Sequence, residues 1–78
     1  PNPFSGATTI RFSLPESSYI TLEVRDIQGN IVDILLEDTI TSGDHAVFWN
    51  PLAETAGVYY LLLKTKDNTE IRKMMLMR

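Results

Sequence analysis

The sequence predicts an all-β fold, a small immunoglobulin-like antiparallel β-sandwich of about six or seven strands, and three observations carry that reading. Apolar and polar residues alternate with a period of two through several segments, which sends successive side chains to opposite faces of a sheet. Turn-forming residues separate those segments at regular intervals, the spacing of a sandwich. No stretch combines helical length with capping residues, as a helix would require.

The elements follow in order. In TTIRFSL, Ile10, Phe12 and Leu14 share one face and Thr9, Arg11 and Ser13 the other. After a break at Pro15 to Ser18, YITLEVR places Ile20, Leu22 and Val24 inward and Thr21, Glu23 and Arg25 outward. These two segments are expected to be neighbouring antiparallel strands. Gly29 and Asn30 tolerate positive φ and reverse the chain into a third strand from Ile31 to Leu36. The polar stretch Glu37 to Asp44 leads into HAVFW, in which His45, Val47 and Trp49 share a face, and Asn50 and Pro51 end that strand because proline cannot donate to a ladder. VYYLLLKT is the strongest strand, with Tyr59, Leu61 and Leu63 on one side and Val58, Tyr60 and Leu62 on the other. A turn at Asp67 and Asn68 returns the chain into a closing strand from Glu70 to Arg78.

Seventy-eight residues make one small domain, since a chain of this length buries roughly 60% of its unfolded surface. It has no cysteine, so an apolar core must hold the fold without disulfides. The formal net charge of −3 argues against a nucleic-acid binder, which carries a basic excess. No apolar run is long enough to cross a bilayer, and the opening PNPFSGATT lacks the charged and apolar regions of a secretory signal peptide,. An export signal, if one exists, is expected upstream in a longer protein or within the domain itself.

The chemistry of single residues points away from catalysis. His45 is the one histidine, and no serine sits in a Gly-x-Ser-x-Gly elbow, so a nucleophile, its base and an orienting group are not visible together. His45 reads as a strand-end residue partly covered by neighbours. Asp26, Asp33, Asp38, Asp44, Asp67 and Glu70 are scattered and lack the alternating spacing of a calcium loop; no metal or cofactor is expected. Trp49 aligns with the inner face, whereas Phe48, Tyr60 and Leu62 have outward parity and form a candidate exposed apolar patch, open either to a partner or to a covering segment. A carbohydrate-binding or structural accessory module of an extracellular glycosidase is the alternative these aromatics suggest. In the closing strand, Met74 and Leu76 share a face with Arg72 and Arg78, and Ile71, Met75 and Met77 share the other with Lys73. Parity alone leaves open which face is buried. Methionines suit recognition of an imperfect surface, and a strand edge permits strand addition.

The ordered set PNPF, TTIRFSLP, VRDIQGNIV, HAVFW, GVYYLLLKT and RKMMLMR resembles the C-terminal sorting domain of the type IX secretion system of Bacteroidetes and related bacteria. The resemblance covers essentially the whole chain, which it implies is a sorting and attachment domain, residues 1–78, at the C-terminus of a larger secreted protein. It implies a non-catalytic β-sandwich that directs a cargo such as a hydrolase through the outer membrane to the cell surface. The implied partners are the outer-membrane translocon, a sortase-like peptidase and the upstream cargo domain. Carried across, the opening motif is Pro1, Asn2 and Pro3, the Gly-x-Tyr motif is Gly57 and Tyr59, and the basic-apolar tail is Lys73, Met74, Met75, Leu76, Met77 and Arg78. Gly57 is expected to permit a close approach and Tyr59 to pack inward. Asn30, where many members carry a basic residue, and the short loop Asn50 to Ala56 depart from the pattern. A related Ig-like domain of the flagellar hook-capping scaffold shares much of it.

Overall fold

The computed structural model describes residues 3–78. Seven strands run through them: β1 (Phe4–Ser5), β2 (Thr8–Leu14), β3 (Ser18–Arg25), β4 (Ile31–Ile40), β5 (Gly43–Trp49), β6 (Gly57–Lys64) and β7 (Thr69–Met77). β1, β7, β6, β3 and β4 form one sheet in that order, and β2 and β5 form a second. All pairings are antiparallel except β1 with β7. The molecule measures 36 × 22 × 17 Å, a thickness that suits two sheets packed about 10 Å apart.

The alternating residues build the core. Ile10, Phe12, Leu14 and Trp49 face inward from the two-stranded sheet, and Ile20, Leu22, Val24, Tyr59, Leu61, Leu63, Met74 and Leu76 meet them from the other. Trp49 lies between Phe4 and Tyr59, its ring centre 5.8 and 5.7 Å from theirs. Its indole Nε1–H donates to the Asp33 carboxylate at 3.2 Å, which satisfies a group that would otherwise be costly to bury.

β2 and β3 are not neighbours, contrary to the sequence expectation. β2 pairs with β5, from Thr8 opposite Trp49 to Leu14 opposite Gly43, while β3 lies between β4 and β6. Alternation assigns a face to each residue but not a partner strand. Residues 15–17 form an arch between layers, tied down where the Ser17 hydroxyl donates to the Ile40 carbonyl at 3.3 Å and the Ser18 hydroxyl to the Glu16 carbonyl at 3.0 Å.

The third expected strand extends past Leu36 to Ile40, so most of the polar stretch is strand rather than loop. β4 is an edge strand, and an edge tolerates polar side chains that would be excluded from a central strand. Two register shifts against β3 let Val32, Leu35, Leu36 and Ile40 all pack on the core. In the preceding turn, Gly29 has φ 86° while Asn30 is not left-handed. The Asp26 carboxylate organises that turn by accepting the amides of Gln28 and Asn30 at 2.9 and 3.0 Å. The β6–β7 hairpin turns at Asp67 and Asn68 as expected, closed by Thr65 N–H donating to the Asn68 carbonyl at 2.8 Å.

Candidate functional site

β7 is the natural centre of a site, because both of its faces are apolar in sequence and only one can face the core. Along its length β6 pairs with it, from Gly57 opposite Leu76 to Lys64 opposite Thr69. On its other side β1 adds a short parallel pairing at Leu76 and Met77. Met74 and Leu76 are buried; Ile71, Met75 and Met77 are exposed at 62%, 39% and 48%. The inner face of the strand is therefore the Met74 and Leu76 side, and Ile71, Lys73, Met75 and Met77 point away from the sandwich.

The two arginines of inner parity avoid burial by reaching backbone carbonyls where the opposing sheet ends. Arg72 donates to the Arg11 carbonyl of β2 at 2.8 Å and pairs with Glu70 at 3.3 Å. Arg78 donates to the carbonyls of Pro51 and Glu54 at 2.5 and 2.6 Å. These donors fasten β7 to the second sheet and to the loop after β5. The Tyr59 hydroxyl fastens that same loop by donating to Thr55 at 2.6 Å, so Tyr59 packs inward as expected.

The opening and central motif residues are placed as follows. Pro1 and Asn2 lie outside the described residues, and Pro3 is exposed just before β1. Gly57 opens β6 with φ 148°, and a Cβ there would meet nothing within 4 Å. The expected close approach is thus absent; glycine serves the backbone conformation, which side-chain-bearing residues rarely adopt.

The expected patch of Phe48, Tyr60 and Leu62 is not contiguous. Phe48 is 66% exposed but projects from the two-stranded sheet, opposite Thr9. Tyr60 and Leu62, both half-buried, lie on the outer face of the five-stranded sheet beside Lys73 and Ile71. Trp49, at 1% exposure, belongs to the core.

Sequence reading missed a charged hub on that outer face. Glu23 is 6% exposed although it points away from the core, and it sits between Leu62 on β6 and Ile34 on β4. Its Oε1 lies 2.7 Å from an Arg25 nitrogen and 3.0 Å from Lys64 Nζ. Burial pushes the Glu23 carboxyl up, but the hydrogen bonds and charges of Arg25 and Lys64 outweigh it and hold it below the usual carboxylate range. The signal that was available is the EVR triplet with an outward Glu and Arg two residues apart, which share one face of a strand.

His45 is half-buried, stacked on Phe12 with ring centres 5.4 Å apart, and its Nε2 lies 2.7 Å from the Thr41 carbonyl. Among the described residues no helix is long and apolar enough to cross a membrane. A family model described as the secretion system C-terminal sorting domain matches residues 1–77. No curated protein and no solved structure matches the chain.

Proposed function

The chain belongs to the secretion system C-terminal sorting domain family, and from that premise we propose that it is a non-catalytic module that delivers an upstream cargo, such as a hydrolase, through the outer membrane and to the cell surface by the type IX route. The machinery engages β7, and a sortase-like peptidase removes the domain as the cargo is attached. The observation that supports this reading most directly is the family match over residues 1–77 together with a β7 that holds Met74 and Leu76 in the core and presents Ile71, Lys73, Met75 and Met77 outward. An outward row of flexible, polarizable methionines next to a cation suits a surface that a partner must grip and then release. In the same proposal Pro1, Asn2 and Pro3 mark the junction with the cargo, and Gly57 and Tyr59 support β7 rather than touch the partner.

The carbohydrate-binding alternative is weakened by geometry. Sugar rings stack on exposed aromatic faces, and Trp49 is inside while Phe48 and Tyr60 project from opposite sheets.

The test is a reporter fused ahead of the domain in a type IX-competent bacterium, with surface delivery measured for the unaltered domain and for Met75→Lys/Met77→Lys. Both positions are exposed, so the fold survives and circular dichroism verifies it. The unaltered domain is expected to deliver the reporter and the double variant to retain it inside the cell. Equal delivery by the two overturns the role of β7.

A further inference from the structure

We propose that the surface read by the export machinery is not β7 alone but the outer face of the five-stranded sheet, extending across β6 and β3 to β4; this rests on the sorting reading above. The strand register places the side chains in rows that cross the sheet. One row runs Ile71, Leu62, Glu23, Ile34, and the next runs Lys73, Tyr60, Arg25, Ile31. Ile34 and Ile31 are 49% and 48% exposed and each lies more than thirty residues before the start of β7 in sequence. The outer face of the other sheet differs: it carries Thr9, Arg11, Ser13 and Ala46, with Phe48 as its large exposed apolar group. The apolar side chains of β7 and β6 lie on one side of the charged Glu23 and Arg25 of β3 and the two isoleucines of β4 on the other, and large exposed apolar groups gathered on one face in this way mark it as an interaction surface.

The middle of this face is prepared for contact. A carboxylate left bare there would have to be stripped of water on docking at a large cost, whereas Glu23 is already buried and carries two cationic partners. The outward side chains include three cations, Arg25, Lys64 and Lys73, against two carboxylates, Glu23 and Glu37. The face is therefore positive on a chain whose formal charge is −3, and it complements a protein surface that is apolar with a surplus of carboxylates. Four strands about 4.8 Å apart and about eight residues long present on the order of 500 Å². That area falls short of the roughly 800 Å² per partner of a standard stable interface and fits a transient one, as a signal that must be released requires. Continuity with the outward side chains of β7 assigns the occupant: a folded component of the export machinery, and not a second copy, which would need a larger surface to remain bound.

The same reporter fusion tests this with four single variants. Ile34→Lys and Ile71→Lys alter the two ends of one row, and Lys at position 34 gains Glu23 as a cross-strand neighbour, so the fold is kept. Phe48→Lys on the opposite sheet and Ile27→Lys in the β3–β4 turn are controls. Surface delivery is expected to fall about tenfold for Ile34→Lys and Ile71→Lys, the loss of a side chain that contributes measurably to an interface, and to stay at the parent level for both controls. Circular dichroism and thermal melting accompany each variant, and Ile34→Gln replaces Ile34→Lys if the latter unfolds. If position 34 can be changed without loss while Met75→Lys/Met77→Lys blocks delivery, the signal is confined to β7 and the sheet-face inference fails with the sorting reading intact. Equal loss in Phe48→Lys also overturns it. If Met75→Lys/Met77→Lys delivers like the parent, the proposed role of β7 itself fails.

Discussion

Glu23 shows at the scale of one residue how a polar position on an outer face is made compatible with burial. Its folded pKa is depressed, so its contribution to stability is present above the unfolded value of about 4.3 and is lost as pH falls through the lower folded value. Stability by urea denaturation is therefore expected to decline from pH 6 toward pH 3, with a shallower decline in Glu23→Gln. The remaining slope includes Asp26, whose slight desolvation raises its pKa but whose hydrogen bonds from Asn30 and Gln28 outweigh this and lower it. At neutral pH, Glu23→Gln is expected to cost about 1–3 kcal/mol, because two cations lose a charged acceptor. An identical pH dependence in variant and parent shows that the hub is not titrating. Gly57 makes a second residue-scale case. With φ 148° and open space around it, Gly57→Ala is expected to cost about 1–2 kcal/mol through backbone strain alone, measured by the same denaturation.

β7 is the element on which the parity argument is decided. Leu76 is 1% exposed and Met77 48%, though they are adjacent in sequence. Leu76→Ala is expected to lose about 2–5 kcal/mol by opening a cavity, and Met77→Ala to stay within about 0.5 kcal/mol of the parent, both by chemical denaturation. Comparable losses at the two positions refute the assignment of faces. This element also marks how far the sequence could be read. The inward sets of β2 and β3 follow from their alternation because the other face of each is polar, whereas β5 and β6 carry large apolar residues at both parities and alternation alone only separates the two sets. For β7 both faces are apolar, so the choice depends on Arg72 and Arg78 reaching the carbonyls of Arg11, Pro51 and Glu54, contacts between residues far apart in the chain. In β4 the full length of the strand is hidden for the opposite reason. Its Glu37, Asp38 and Thr39 look like loop residues because an edge strand need not be apolar on either face.

At the scale of the molecule, strand order is what the sequence left hidden, and it also shapes function. A β2–β3 hairpin would have been local, whereas the observed β2–β5 pairing and the return of β1 to β7 join distant parts of the chain, which makes folding slow relative to local topologies. The same long-range closure means that the outer face of the five-stranded sheet exists only when the two-stranded sheet covers its inner side. Tyr59, Leu61, Leu63, Met74 and Leu76 would otherwise expose a second apolar face, and an isolated hairpin is marginal in water. A reporter carrying residues 57–78 alone keeps the entire sequence of β6 and β7 but not the fold. If the signal is a folded surface, that reporter is expected to be retained inside the cell, while the 78-residue domain delivers its cargo. A core variant such as Phe12→Ala, which weakens the sandwich by about 3–5 kcal/mol without touching the outer face, is then expected to deliver poorly at high growth temperature and to recover on cooling. Delivery by the hairpin at the level of the whole domain would mean that the machinery reads an extended strand, and that the sandwich protects that strand until it is read.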